Sequence, residues 1–189
     1  MPLTKFDNTA ALVVIDLQKG IVGMATVHPI SEIIARAAQL ARSFRERGLP
    51  VVLVNVTGAA PGRTDAGPRN LSSFVADWME LVPELDRQPS DHLVSKPRVG
   101  AFIGTSLQDY LRQRGITQIF LTGISTSAGV EATARSAYDY GYNVVLVVDA
   151  MTDRDADAHC HSVEKVFPRI GETDTTDNVL KLLKRAPAR

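Results

Sequence analysis

Apolar residues fall in two kinds of run along this chain. Some runs are short, continuous and rich in β-branched residues: AALVVI at 10–15, VVLVNV at 51–56, IFL within 118–122 and VVLVV at 144–148. Apolar runs without polar alternation predict strands buried on both faces, as in a parallel sheet. Other runs recur at three- and four-residue spacing. Ile33, Ile34, Ala37, Ala38, Leu40, Ala41 and Phe44 make one apolar stripe, which predicts a helix over 31–47. Ser31 is its expected N-cap, and Gly48 and Pro50 its stop. Shorter patterns predict helices over 71–82, 105–114, 129–140 and 156–167. A short strand is expected at 92–95 and another at 171–173. A last helix, capped by Thr175 or Thr176, is expected to run through Leu183.

Strands and helices alternate along one chain, which predicts an α/β fold. The expected architecture is a three-layer αβα sandwich. Its sheet is open, mostly parallel and Rossmann-like, with helices on both faces. The 189 residues suit one domain spanning 1–189. In such sheets, ligands bind beyond the carboxyl ends of the strands. That edge should gather Asp16, the Gly/Pro-rich loop 57–70, Lys96, the turn 123–129 and Asp149.

Composition narrows the function classes. Twenty-one basic residues balance 21 acidic ones, so nothing marks a nucleic-acid partner or an anionic membrane surface. No apolar stretch approaches the ~20 residues needed to cross a bilayer, and no secretory signal pattern opens the chain. A single cysteine, Cys160, forms no internal disulfide, in keeping with a cytoplasmic location.

Asp16 ends the first apolar run, where burial raises a carboxyl's proton affinity and a nearby lysine lowers it. Such a group is a candidate general acid or base; the alternative is a loop-capping aspartate. Lys96 precedes Pro97, which favours an extended backbone, and an extended Lys96 can point toward Asp16. A solvated surface lysine is the commoner fate. Arg98 is a candidate clamp for a substrate carboxylate, or else a surface ion pair. Gln18 is balanced between binding substrate or Lys96 and serving as a polar loop residue. Phe74, Trp78 and Phe102 are candidates for an apolar pocket wall, with core packing the commoner role for Phe102. Arg63 and Arg69 sit on the long loop, where arginines are usually solvated. His159, Cys160 and His161 are successive on a predicted helix and point about 100° apart, so they form no one-face metal site. Neither metal nor cofactor is indicated, and Cys160 lies far along the chain from the strand ends.

Three motifs in order, VVIDLQ with Asp16, SKPRVGAF with Lys96 and TGISTSAGVEATAR, resemble the isochorismatase-like hydrolase superfamily. The resemblance runs from about Ala10 to Leu183. It implies Asp16 as the proton-transfer residue and Lys96 as its partner. It also implies a non-proline cis peptide near Ser125–Thr126, which makes those two residues substrate-facing. The amidase branches place a nucleophilic cysteine where this chain has Gly129. Glycine has no side chain to attack a carbonyl, so covalent thiol catalysis at this position is excluded. Isochorismatases proper resemble the pattern without the cysteine and hydrolyse a vinyl ether.

The expected function is therefore cofactor-free hydrolysis of a small carboxylated substrate. The alternatives are a binding protein that has lost its chemistry and an amide hydrolase in which Asp16 activates water. The resemblance further implies a homodimer or homotetramer.

Overall fold

The computed structural model describes residues 3–65, 67 and 77–185. Six strands form one sheet in the order β3-β2-β1-β4-β5-β6. They are β1 (Ala10–Ile15), β2 (Val51–Val56), β3 (His92–Lys96), β4 (Gln118–Ile124), β5 (Asn143–Thr152) and β6 (Glu172–Asp174). Every strand pairing is parallel. The helices are α1 (Lys19–Val22), α2 (Ile30–Glu46), α3 (Leu107–Gln113), α4 (Glu131–Asp139), α5 (Ala156–His161) and α6 (Thr176–Arg185). The α/β sandwich expected from the alternation is the fold observed.

The continuous apolar runs are central strands for a simple reason. Every residue of β1 and β4 is buried, because helices cover both faces. One core packs Leu12, Val14 and Phe120 against Leu40 and Phe44 of α2 and Val179 and Leu183 of α6. The other packs Val13, Ile15, Leu121 and Leu146 against Leu107 and Leu111 of α3 and Ala134 and Ala137 of α4. Burying a Leu- or Phe-sized side chain is worth roughly 1.5–3 kcal/mol, so the two layers fix strand register firmly.

Several boundaries differ from expectation. Helix α2 begins at Ile30 after Pro29, so Ser31 lies inside its first turn and is no cap. The stretch expected to be loop after Asp16 contains the single turn of α1. Strand β5 continues past Asp149 to Thr152, because the Ala150-Met151-Thr152 run resumes pairing with β4 after a bulge. Asp149 is thus inside a strand. Its carboxylate accepts from the Thr176 N–H (2.7 Å) and hydroxyl (2.9 Å), tethering the start of α6 rather than reaching the ligand edge. Most of the helix expected over 71–82 lies outside the described residues; residues 77–79 form a turn. The single helix expected over 156–167 is α5, a π-type turn over Ser162–Val166 and a 3-10 turn over Phe167–Arg169.

Near the amino terminus, Leu3 and Thr4 strap the β6 edge. The Leu3 N–H donates to Asp174 and the Thr4 N–H to Glu172. No helix among the described residues is long and apolar enough to cross a membrane.

Candidate active site

The chain leaves β1 through an unusual residue. Asp16 has φ 53°, the left-handed region that non-glycine residues rarely adopt. Its N–H still bonds Val54 of β2, and its carbonyl accepts from the Gln18 N–H at 2.8 Å. The tight bend turns the Asp16 side chain back over the sheet edge. There it is 4% exposed. Its Oδ2 accepts from Lys96 Nζ at 2.7 Å, an ion pair whose lysine is 2% exposed. Lys96 ends β3, two strands away. Its ammonium also donates to the Val99 carbonyl at 2.7 Å and lies 3.5 Å from that of Arg98.

The third element is the turn after β4. A cis peptide joins Ile124 to Ser125, one bond earlier than the resemblance implies. A π-type turn over Thr126–Val130 follows and runs into α4. Gly123 brings this segment against β1: at φ 115° it lies so close to the Ile15 carbonyl that any Cβ would collide with it. Gly129 is buried beside the ion pair. A Cβ placed there would sit 3.2 Å from Asp16 Oδ2, 3.4 Å from Lys96 Nζ and 3.1 Å from Ile15 Cγ2. The three positions singled out from sequence, Asp16, Lys96 and Gly129, meet at one point.

The electrostatics of this point follow from burial. Desolvation pushes the Asp16 carboxyl up from 3.8 to about 6, against the charge and hydrogen bond of Lys96, which pull it down. Asp16 Oδ1 is buried with no hydrogen-bond partner among the described residues. An unpaired carboxylate oxygen in a dry site is costly. The cost falls when that oxygen carries a proton or meets a donor, so Oδ1 is the chemically open atom of the pair.

Other expected residues take different places. Gln18 is fully buried, and its side chain is spent on backbone. Its Nε2 donates to the Val56 and Trp78 carbonyls, at 3.2 and 3.1 Å, and its Oε1 accepts from the Val56 N–H at 2.7 Å. It ties the β1 loop to the end of β2 and to residue 78, with no amide proton left for substrate or Lys96. Trp78 is half-buried, and its indole covers Gly20 so closely that a Cβ there would strike the ring. Arg98 Nη1 donates to the carbonyls of Pro97 (2.9 Å) and Ala59 (3.3 Å), which makes it a brace between two loops. Phe102 packs in the core beside the Tyr140 and Tyr142 rings. Thr126 is buried, and its hydroxyl lies 2.9 Å from His159 Nδ1. The Ser125 carbonyl accepts from Ala128 and Val130, which shapes the turn. Cys160 is exposed on α5. Phe74 and Arg69 lie outside the described residues. Among those described, no cluster of three or more His, Cys, Asp or Glu is arranged to hold a metal.

Sequence reasoning missed the back of the turn. Asp153 Oδ2 accepts from the Ser127 N–H (2.7 Å) and hydroxyl (2.8 Å). The Val27 N–H bonds the Asp153 carbonyl, and the His28 N–H bonds the Thr152 hydroxyl at 3.2 Å. The His28 and His159 rings meet edge-on at 4.8 Å. Burial, then His28, lowers the proton affinity of His159. The available signal was Thr152-Asp153 immediately after an apolar run, three residues past the Asp149 that the strand pattern favoured.

A parallel open sheet with a buried acid–lysine pair at its carboxyl edge is an α/β fold with a candidate active site. The Isochorismatase domain matches residues 10–178, and the chain belongs to that hydrolase family. It is 40% identical over 185 residues to the isochorismatase family protein YwoC of Bacillus subtilis, covering 95% of this chain and 96% of that one. The solved structure of an isochorismatase family protein from Burkholderia thailandensis superposes with a TM-score of 0.90 at 41% identity, covering 95% and 97% of the two chains. More distant, at 28% identity, is the ureidoacrylate amidohydrolase RutB of Variovorax paradoxus, with 99% of this chain and 86% of that one covered.

Proposed function

We propose that this hydrolase cleaves the vinyl ether of a small carboxylated substrate without a cofactor, with Asp16 as general acid and no protein nucleophile. The observation that carries the reading is a buried carboxyl paired with Lys96, its proton affinity raised to about 6 by burial, beside a glycine where a nucleophile would otherwise stand. Vinyl-ether hydrolysis needs a proton on carbon and a water, and nothing else covalent. The Asp16 Oδ1 proton adds to the terminal vinyl carbon, and the ether oxygen shares the resulting positive charge as an oxocarbenium ion. Water adds to that cation and returns its proton to Asp16. The hemiketal then collapses to an alcohol and a 2-keto acid, so one water is consumed and Asp16 is restored. Lys96 offsets the charge left on Asp16 after proton transfer. Gly129 leaves room for substrate against the pair.

The test is pyruvate release from isochorismate by the purified protein, with Asp16→Asn alongside. Release by wild type and a fall of roughly 10²–10⁴-fold in the variant, the usual range for a general acid, supports the reading. Absence of pyruvate at high enzyme concentration removes isochorismate as substrate. Equal release by both proteins removes Asp16 as the acid.

The similarity to RutB favours a second reading, in which the Asp16 carboxylate activates water against a C–N bond. The two readings have opposite pH dependence. An acid works best below about 6 and a base above it.

A further inference from the structure

Lys96 is held by more than its carboxylate partner. Its short bond to the Val99 carbonyl makes the loop after β3 part of the charge arrangement. That loop is fixed two residues further on. The Ala101 N–H donates to the Thr133 hydroxyl at 3.0 Å, a buried bond between segments 32 residues apart. Thr133 lies in the first turn of α4 and is fully buried. Its hydroxyl in turn donates to the Gly129 carbonyl at 2.6 Å. One hydroxyl therefore accepts from the Lys96 loop and donates to the turn that forms the third corner of the site. The loop lies directly on α4 here: a Cβ on Gly100 would stand 3.4 Å from the Ala132 carbonyl oxygen. A threonine bonding back to the carbonyl four residues earlier is ordinary in a helix. The second bond, to a distant chain segment, is what a purely helical role leaves unexplained.

We propose that Thr133 is a positioning residue, whose hydroxyl clasps the loop carrying an oxygen partner of Lys96 to the turn carrying Gly129. Without the hydroxyl, the Ala101 N–H is buried and unpaired, the 99–101 loop shifts, and the ammonium loses its fixed place against Asp16. The methyl group of Thr133 fills space, but it does neither job.

The inference rests on the Asp16–Lys96 reading of the site, and its test needs no substrate. The Asp16 carboxyl is titrated by carbon NMR in protein labelled at aspartate, its signal assigned by loss in Asp16→Asn. Thr133→Val keeps the shape and removes the hydroxyl; Thr133→Ser keeps the hydroxyl and removes the methyl. A loosened lysine stabilises the carboxylate less. The Val variant should therefore titrate about half a pH unit above wild type, a change of about 0.7 kcal/mol, while the Ser variant matches wild type. If Thr133→Val does not fold, Thr133→Ala reads the same quantity without a branched side chain to accommodate. A hydroxyl-free variant that titrates as wild type overturns the proposal. So does a Ser variant that titrates with the Val variant, which assigns the effect to packing. Failure of the vinyl-ether reaction leaves these titrations unchanged, so the two ideas fail separately.

Discussion

Asp16 and Asp91 are both buried carboxylates with a cation 2.7 Å away, yet they are built differently. Asp91 is met by an arginine fork. Arg45 Nε donates to its Oδ1 at 2.9 Å and Nη2 to its Oδ2 at 2.7 Å, and the Gln88 N–H adds a bond to Oδ2. Both oxygens are engaged. Arg45 Nη2 also reaches the Leu85 carbonyl, which pins α2 to the segment before β3. Asp16 is met by a lysine, a point charge that satisfies one oxygen, and among the described residues its other oxygen is buried without a partner. Its backbone bends through the left-handed region at φ 53°, which turns the carboxylate over the sheet edge. A fully satisfied pair holds a fold together. A half-satisfied pair on a bent backbone keeps an atom ready for a partner that arrives later.

That contrast breaks most sharply at Asp16 itself. Asp16→Asn should abolish turnover by about three orders of magnitude while the protein stays folded, as circular dichroism and turnover together will show. Arg45→Met should do the reverse. Stranding Asp91 costs about 3 kcal/mol of stability, read by urea denaturation, with turnover per folded molecule unchanged. A large activity loss in Arg45→Met, measured well below its denaturation midpoint, would erase the distinction.

The pH dependence sharpens the comparison. The folded state holds a proton on Asp16 between 3.8 and about 6 that the unfolded chain releases. Stability contributed by Asp16 is therefore full below 3.8 and is lost as pH rises through about 6. Denaturation midpoints should fall across that window in wild type, and this part of the fall should vanish in Asp16→Asn. Vinyl-ether turnover should drop as pH climbs above about 6. The smallest effect belongs to Gly129→Ala. The added methyl meets three neighbours at 3.1–3.4 Å, so stability should fall by about 1 kcal/mol, the low end for overpacking, while turnover falls about tenfold.

Much of this was legible in the chain because it is local. The runs at 10–15 and 51–56 gave β1 and β2 with their observed ends, since residues buried on both faces leave an unbroken apolar signature. Asp16 was visible as the charged residue that ends such a run, and Lys96 as the residue before Pro97 at the end of a short strand. The extent of β5 was not, because a bulge lets a strand continue past a charged residue. The partners of Gln18 and Arg98 were not legible for a related reason. A polar side chain near a site looks the same in sequence whether it faces substrate or binds backbone carbonyls, and only the fold supplied Val56, Trp78 and Ala59 as partners. The clasp of Thr133 and the Asp153 contact with Ser127 join segments far apart in sequence, so no spacing rule announces them.

The strand order carries a last consequence. β1 lies inside the sheet, with β2 on one side and β4 on the other. The Asp16–Lys96 pair bridges the ends of β1 and β3, and the turn after β4 brings Gly129 against it from the other side. The site therefore belongs to no single segment: it takes one corner from each side of β1, and neither half of the sheet carries it alone.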